Sequence, residues 1–449
     1  MPEREPFAFA PVPEEQIDPR AHVPPEHLEQ QDARHEASDS LSREILQWWR
    51  GDTHAHSVSS TRPGFKYFEA LHDAAEIGPY YQKLGAEFVV LSEHSSNPKQ
   101  PELLTPEHPI SQSLLQQAEK APERNKENRE FAMLSGVESN IMFDAEGQPR
   151  IDVPNEVLEK LDLVIASRHK IEREHDLTAI RSSLLAAAEH PNVDTIGHMD
   201  RYIRMPHNWD MFVANMPEIQ AFQSERQALE QQKKSVLPEE QERLRAKLKR
   251  EYYPIIEKVI GKVPMSEEDE RDPRITEWRK LFLEMERRYW EVMDEVLDTM
   301  QRTNKAFEIN FGAMPSPLLV RKAAAKGLPF LLTFDAHDLS QYKWQHTPEQ
   351  KAAYDSRNRW AKDEMTAEDE AILQQYKIDR LTAGPGVIPI LRLVRQLRQL
   401  QKLGVTPDQV VNSSRQRMVH FLTETRGKST RNLELLRGRS KHPAEKPKA

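Results

Sequence analysis

The sequence predicts an α/β protein, a βα barrel with an inserted helical segment. From Trp48 to Arg204, short apolar runs typical of buried parallel strands alternate with helical stretches, and the alternation returns after residue 288. Most of these runs end in residues that ligate metals. Because the carboxyl ends of barrel strands face one shared mouth, we expect ligands that are far apart in sequence to meet there.

The strands are predicted from runs of apolar residues, and the helices from apolar residues at three- and four-residue steps. The predicted strands are 88–91, 133–137, 163–166, 193–196, 306–310 and 330–334. The predicted helices are 67–84, 178–189, 275–303, 317–326, 391–403 and 407–422. Three of them are followed by Gly85, Pro191 and Gly327, residues that commonly end helices.

The composition changes along the chain and suggests how it is divided. The barrel is predicted from residues 48–205, 288–343 and 387–425. Residues 1–47 are rich in proline and acids and are predicted to be a disordered leader. Residues 206–287 are predicted to be a helical insertion and 344–386 a polar insertion. The basic tail, 426–449, is predicted to be disordered.

Composition also restricts the class of protein. Hydrophobic residues make up 37% of the chain and charged residues 30%, as in a soluble protein. No apolar run approaches the ~20 residues that span a bilayer, and no secretory signal is evident, so we expect no membrane partner. The absence of cysteine excludes disulfides and thiolate ligands, and it fits a cytoplasmic location. The net charge of −9 disfavours long nucleic acids.

Two motifs place a pair of candidate ligands two residues apart. His54 and His56 end the first strand, where residues two apart face the same side, so both imidazoles can reach one cation. Asp335 and His337 repeat this spacing after the last predicted strand. Imidazole together with carboxylate suits Zn, Mn or Fe better than Mg or Ca.

Four more candidate ligands follow other predicted strands: His94, Glu138, His169 and His198. Taken singly, each is more readily explained as a structural histidine or a solvated acid. Taken together with the two paired motifs, they predict a site with two or three divalent metal ions, in which Glu138 bridges two of them.

Such ions would lower the pKa of a water molecule between them and would bind the oxygens of a phosphate. Glu138 and Asp335 are therefore the predicted catalytic residues. Four cations lie near the ligands in sequence and are predicted to bind substrate phosphate: Arg62, Arg168, Lys170 and Arg201. For each of them a solvated surface position is the alternative.

The order of these motifs resembles the polymerase and histidinol phosphatase (PHP) family. The matching segments are Asp52–His56, Ser92–His94, Gly136–Glu138, Ser167–His169, Gly197–His198, Glu308–Asn310 and Asp335–His337, together with 403–422 near the end. The resemblance implies a distorted seven-stranded barrel, a (βα)7 barrel of the PHP type, with up to three metals in its mouth. It also implies that Glu308 and Asn310 support the strand ends and are not ligands.

The chain departs from the family pattern at two positions. Many members have a histidine or an acid eight residues after the first ligand, where this chain has Arg62. A cation cannot ligate a metal, so this position puts the third ion in doubt and could instead contact the substrate. The second motif usually reads Asp-His, whereas here it reads Glu93-His94.

The leading hypothesis is a hydrolase, a metal-dependent phosphoesterase that attacks a phosphomonoester or nucleotide with a metal-activated water. Its expected partner is a small phosphorylated substrate. Within the family the alternative is an exonuclease-type phosphodiesterase, with nucleic acid as a less favoured partner. An amidohydrolase would usually need a carboxylated lysine as its bridge, which Glu138 makes unnecessary. A non-catalytic PHP-like binding module is the remaining alternative.

Overall fold

The computed structural model describes residues 44–57, 74–83, 85–97, 101–169, 176–201, 203, 253–261, 263–336, 367–375 and 387–438. The strands are β1 (Gly51–Ala55), β2 (Phe88–His94), β3 (Ala132–Phe143), β4 (Pro149–Ile151), β5 (Leu163–Ser167), β6 (Thr195–Gly197), β7 (Ala306–Asn310) and β8 (Phe330–Thr333). The helices are α1 (Ala74–Lys83), α2 (Pro109–Glu127), α3 (Asn155–Leu158), α4 (Leu177–Glu189), α5 (Tyr253–Val259), α6 (Glu267–Arg271), α7 (Pro273–Arg302), α8 (Pro317–Ala325), α9 (Ala367–Gln375), α10 (Val387–Lys402), α11 (Arg415–His420) and α12 (Arg431–Gly438).

The sheet has seven parallel strands in the order β1-β2-β3-β5-β6-β7-β8, and β4 pairs antiparallel with the extended end of β3. Parallel neighbours need crossover connections, which α2 supplies between β2 and β3 and α4 between β5 and β6. The predicted α/β barrel is therefore confirmed, and the predicted strand 306–310 has the same bounds as β7.

The two outer strands, β1 and β8, meet and close the sheet into a barrel. The backbone N–H of Ala336 donates to the carbonyl of His54 at 3.1 Å, and the N–H of His56 donates to the carbonyl of Ala336 at 3.0 Å. These bonds lie at the carboxyl ends of both strands. They fix the first histidine motif next to the segment that carries Asp335.

Farther from the mouth, the side chain of Asn412 closes the gap between β1 and β8. Its Nδ2 donates to the carbonyls of Gly51 at 2.7 Å and Leu332 at 2.6 Å, and its Oδ1 accepts from the N–H of Leu332 at 3.0 Å. The predicted single helix over 407–422 is wrong. The chain instead forms two short turns of 3-10 helix and extends at Ser414 before α11 begins, which allows Asn412 to reach between the strands.

Inward-facing residues change character along each strand. On β3 the alternate positions are Leu134, Gly136 and Glu138, so the interior is apolar near the amino end and carries a carboxylate near the mouth. The barrel is narrow between these layers. A Cβ atom on Gly136 would lie 2.7 Å from Cγ1 of Val90, which only glycine avoids.

The C-terminal segment covers the amino end of the barrel. Leu422 and Leu433 join the same buried cluster as Phe88 and Leu163 from the strands. The prediction that the chain is disordered from residue 426 is wrong for 426–438, since α12 is ordered and packed. Residues 439–449 lie outside the described part of the chain.

Two predicted boundaries also differ from the structure. The border between the helical insertion and the barrel, 287/288, falls inside α7, which is one continuous helix. Residues 44–48, at the end of the predicted leader, are helical. Most of both predicted insertions lies outside the described residues, so that part of the division stays a prediction. Among the described residues no helix is both long and apolar enough to cross a membrane.

Candidate metal centre

The candidate ligands converge at the carboxyl ends of the parallel strands. His54 lies on β1, His94 ends β2 and Glu138 lies on β3, and their relative exposures are 0%, 4% and 1%. His169 lies two residues after the end of β5, and His198 follows β6 directly. The barrel thus brings together side chains that are more than 140 residues apart in the sequence.

Glu138 lies at the middle of the cluster, and its two carboxylate oxygens face different imidazoles. Oε2 lies 3.3 Å from Nε2 of His54, 3.6 Å from Nε2 of His56 and 2.9 Å from Nδ1 of His94. This side of the carboxylate faces the ligands from β1 and β2.

The other oxygen of Glu138 faces the ligands that follow β5 and β6. Oε1 lies 3.3 Å from Nε2 of His169 and 3.0 Å from Nε2 of His198. A carboxylate that presents one oxygen to each of two ligand sets is suited to bridge two cations.

Asp335 completes a third set of ligand atoms. Its Oδ1 lies 3.3 Å from Nε2 of His56 and 3.7 Å from Nε2 of His54. The described residues thus form three overlapping groups, and within each group the ligand atoms lie within 4.8 Å of one another. The groups are His54, His56 and Asp335; His56, His94 and Glu138; and Glu138, His169 and His198.

The spacing of these atoms fits divalent metals. Ligand atoms at zinc distances in a tetrahedral site lie about 3.4 Å apart. Several of the separations above, at 3.3–3.7 Å, are close to this value and longer than most hydrogen bonds. Within the described part of the chain, Nε2 of His54 and Oε2 of Glu138 are buried without a hydrogen-bond partner. A cation would satisfy both atoms.

Charge in the cluster favours a cation as well. Burial lowers the pKa of His54, but the carboxylates of Glu138, Glu308 and Asp335 raise it well above its ordinary value. Burial raises the pKa of Glu138, but His54 and neighbouring imidazoles lower it well below its ordinary value. Carboxylates that stabilise a proton on a buried imidazole also stabilise a metal ion there.

His169 behaves differently, since burial lowers its pKa more than Glu138 raises it. A lowered pKa favours the neutral ring, the form in which imidazole binds a metal. Its Nδ1 lies 2.7 Å from Oδ1 of Asn140. Nδ1 of His54 similarly lies 2.6 Å from Oε1 of Glu308. In both cases the second ring nitrogen is held by an acceptor, as is usual for metal-ligating histidines.

Glu308 has further contacts that explain its position. Its Oε1 accepts from the hydroxyl of Thr333 at 3.0 Å, and its Oε2 accepts from the backbone N–H of His198. Nδ2 of Asn310 donates to Oδ2 of Asp335 at 3.1 Å. Both residues orient candidate ligands, in agreement with the predicted role of strand-end support.

Asp52 fixes the backbone that carries the first histidines. Its Oδ1 accepts from the N–H of His54 at 3.0 Å and of Phe334 at 3.3 Å, and its Oδ2 accepts from the hydroxyl of Tyr81 at 2.6 Å. Burial raises its pKa to about 6. Asp52 thus ties β1 to the end of β8 and to α1.

The backbone is strained at two candidate ligands. His198 has φ 27° and Asp335 has φ 53°, values that residues other than glycine seldom adopt. Such conformations cost roughly 1–3 kcal/mol each and concentrate at functional sites. The fold around these two residues compensates this cost and aims their side chains inward.

The predicted substrate-binding cations have different surroundings. The side chain of Arg201 is 43% exposed, and its Nη1 lies 3.6 Å from Oδ2 of Asp335. Arg168 is buried, at 3% relative exposure. Arg62, Lys170 and the predicted ligand His337 lie outside the described residues.

Several residues of the site were not predicted as such. Glu93 accepts hydrogen bonds from the backbone N–H (3.1 Å) and from the hydroxyl of Ser57. Asn140 contacts Nδ1 of His169, and Asp152 in turn accepts from Asn140. One signal was present in the sequence, since Asn140 stands two residues after Glu138 and so shares its side of β3.

Sequence comparisons find relatives among phosphatases. A probable phosphatase of Caldanaerobacter subterraneus subsp. tengcongensis is 48% identical over 68 residues, which are 15% of this chain and 26% of that protein. A probable phosphatase of Thermoanaerobacter sp. is 33% identical over 149 residues, 33% of this chain and 52% of that protein. The DNA polymerase/3'-5' exonuclease PolX of Bacillus subtilis is 30% identical over 178 residues, 39% of this chain and 28% of that protein.

These matches confirm the predicted resemblance to PHP phosphoesterases. No family model matches the chain. The matched regions cover about half or less of the length of each relative.

The solved structures that resemble this chain include a histidinol phosphate phosphatase of Lactococcus lactis complexed with zinc, L-histidinol and phosphate. It is 11% identical, with a TM-score of 0.34, over 74% of this chain and 94% of the other. A second, a putative histidinol phosphatase of Listeria monocytogenes, is 10% identical, with a TM-score of 0.34, over 66% of this chain and 97% of the other.

Proposed function

We propose that this chain is a metal-dependent phosphoesterase that hydrolyses a small phosphomonoester or nucleotide. The observation that carries the proposal is the arrangement of ligand atoms around Glu138, whose two oxygens face imidazoles from opposite sides of the barrel mouth. The proposed metal ligands are His54, His56, His94, Glu138, His169, His198 and Asp335, together with His337, which lies outside the described residues. The phosphatase names of the sequence relatives point in the same direction.

The protein would hold two or three divalent ions, Zn, Mn or Fe, in these groups. Bound there, such ions supply a water of lowered pKa and positive charge for the phosphate oxygens. Glu138 would hold two ions at a fixed separation. Burial of the ligands keeps competing water out and strengthens the electrostatic interactions inside the site.

The substrate phosphate would enter from the side of Asp335. Arg201 lies there with its guanidinium partly exposed, and it contacts the outer oxygen of Asp335. A guanidinium in this position binds phosphate oxygens through paired N–H donors. Arg168, and Arg62 and Lys170 outside the described residues, are the further cations that we propose for substrate binding.

The first test is elemental analysis of the purified protein followed by a screen of phosphorylated metabolites. We expect bound divalent metal and release of inorganic phosphate. His54→Ala and Asp335→Ala should abolish turnover while the far-ultraviolet circular dichroism spectrum stays unchanged. The exposed His420, at the end of α11, offers a matched control, and His420→Ala should keep both metal and activity. Metal-free, inactive wild-type protein would favour a non-catalytic binding module.

The alternative function is an exonuclease-type phosphodiesterase, which the match to PolX favours. The net charge of −9 opposes binding of long polyanions. A single-stranded oligonucleotide offered beside the metabolite screen separates the two. Cleavage of the oligonucleotide that weakens steeply with salt, without release of phosphate from monoesters, would replace the first proposal by the second.

A further inference from the structure

A buried carboxylate lies behind the candidate metal centre and is connected to it through Asn140. Asp152 follows β4 and is 1% exposed. Its Oδ2 accepts from the hydroxyls of Ser95 at 2.6 Å and Ser96 at 2.7 Å, and from the backbone N–H of Ser96 at 3.2 Å. The carboxylate is therefore held on a fixed set of donors.

Asn140 connects this carboxylate to the site. Its backbone N–H donates to Oδ1 of Asp152 at 2.9 Å, and its Nδ2 donates to Oδ2 of Asp152 at 2.8 Å and to the backbone carbonyl of Ser96 at 3.1 Å. A carbonyl oxygen can only accept. Rotating the amide by 180° would place its oxygen against that carbonyl and the carboxylate, so only one orientation of Asn140 is compatible with its neighbours.

The orientation of Asn140 in turn determines the tautomer of His169. With Nδ2 turned towards Asp152, Oδ1 of Asn140 faces Nδ1 of His169 at 2.7 Å. An amide oxygen can only accept, so Nδ1 carries the proton. Nε2, which lies 3.3 Å from Oε1 of Glu138, is then the ring nitrogen that can bind a cation through its lone pair. This is the side of the ring on which a shared metal would bind.

We infer that Asn140 and Asp152 are positioning residues that hold His169 in its Nδ1–H tautomer, with Nε2 directed to the metal position shared with Glu138 and His198. The inference rests on the proposed metal-dependent function. Asn140, supported by Asp152, would then orient His169 as Glu308 orients His54 on the opposite side of the mouth. Loss of such support typically weakens metal binding 10- to 100-fold.

The tautomer can be measured without turnover. Full-length protein labelled with ¹⁵N-histidine and loaded with Zn²⁺ should show His169 with its proton on Nδ1 in ¹⁵N spectra, with the signal assigned by its loss in His169→Gln. Asn140→Ser shortens the side chain and removes the acceptor. We expect a mixture of tautomers for His169 in this variant.

Binding of Zn²⁺ alone, in competition with a chromogenic chelator, provides the second readout. In Asn140→Ser one zinc equivalent should weaken 10- to 100-fold while the others keep their affinity. The matched control is Asn155→Ser on α3, an exposed asparagine at which the same substitution should change neither readout. In the double variant N140D/D152N the carboxylate at position 140 still accepts from His169, so the Nδ1–H form and most of the affinity should return.

The outcomes separate this inference from the proposed function. An Nε2–H form in the wild type, or unchanged zinc affinity in a folded Asn140→Ser variant, would overturn the positioning role while the metal-dependent function stands. If Asn140→Ser does not fold, the wild-type tautomer alone decides the inference. Wild-type protein that binds no Zn²⁺ would overturn the proposed function, and with it the positioning of His169 towards a metal.

Discussion

Both ends of the barrel bury charged residues, but these residues have different partners at the two ends. At the carboxyl end, carboxylate and imidazole atoms face one another around Glu138 at separations typical of shared metal ligands. At the amino end, a basal cluster of Asp194, Lys305, Arg426 and Lys428 saturates its charges with hydrogen bonds.

The contacts of the basal cluster show how complete this saturation is. Oδ1 of Asp194 accepts from Nε of Arg426 at 3.1 Å, and Oδ2 accepts from the N–H of Val164 at 2.8 Å and lies 2.9 Å from Nζ of Lys428. Nζ of Lys305 donates to the carbonyl of His190 at 2.7 Å. Removing one partner of a buried ion pair destabilises the fold, whereas ligand atoms crowded around a carboxylate are suited to bind a cation. The difference predicts which substitutions affect activity and which affect stability.

The largest effect on activity is expected at the centre of the mouth. Glu138→Gln keeps the size of the side chain but removes the charge that we propose bridges two metal ions. Such a charge would contribute several kcal/mol to transition-state stabilisation, so turnover should fall at least about 1000-fold. Added Zn²⁺ raises the melting temperature of any protein whose folded state binds it, and the variant should lose most of this rise. Phosphate release and differential scanning fluorimetry measure the two effects. Full activity in this variant would remove Glu138 from the site.

The basal cluster should show the reverse pattern. Asp194→Asn removes the negative charge that the buried Arg426 and Lys428 share, while their bonds to backbone carbonyls remain. Breaking such a buried ion pair costs about 3–5 kcal/mol. Metal content and turnover of the folded protein should stay at wild-type values. Urea unfolding gives the stability. The exposed pair of Asp298 and Lys326 provides the control, because Asp298→Asn should cost less than about 1 kcal/mol.

The strands and the mouth could be predicted because their signals are local. A continuous apolar run bounded by turn residues indicates a buried parallel strand, and the residue that follows it lies at the mouth whatever the connection. His54, His94, Glu138 and Asp335 were found in this way.

The rest depends on contacts that no local pattern contains. The segment after residue 426 looks like a disordered tail from its basic composition, yet Arg426 and Lys428 are held by Asp194, more than 230 residues earlier. The role of Asp152 likewise depends on the β3–β4 hairpin bringing it to Asn140. Charge in a sequence indicates a solvated surface unless its buried partner is known.

The seam between β1 and β8 connects the two ends, so damage there should affect stability first and the site second. Asn412→Leu keeps the branching of the side chain, though with a larger volume, and removes the hydrogen bonds that Asn412 makes to the carbonyls of Gly51 and Leu332 and to the N–H of Leu332. Each buried polar group without a partner costs about 1–3 kcal/mol. Because the backbone can relax around the leucine, we expect the free energy of unfolding to fall by about 3 kcal/mol in total. Urea unfolding measures it. If the free energy of zinc binding falls by more than the free energy of unfolding, the contact between β1 and β8 acts mainly on the metal site.

The smallest effect, and the most specific for the basal cluster, concerns pH. Burial, with Arg426 and Lys428, lowers the pKa of Lys305 to about 7, against an ordinary 10.5, and Asp194 only partly opposes this. Between these two values the unfolded chain binds more protons than the folded one, so the free energy of unfolding rises with pH, at most by about 1.4 kcal/mol per unit.

From pH 7 to pH 9 the gain from Lys305 should therefore be about 2 kcal/mol. His190, whose carbonyl accepts from Lys305, has a pKa that burial lowers to about 4, so its ring stays neutral across this range. Lys305→Met keeps the length of the side chain and removes the titrating group. Urea unfolding at both pH values should show the rise in the wild type and its absence in the variant. An equal rise in both proteins would mean that Lys305 keeps its proton in the folded protein. It would then be a third buried cation beside Arg426 and Lys428.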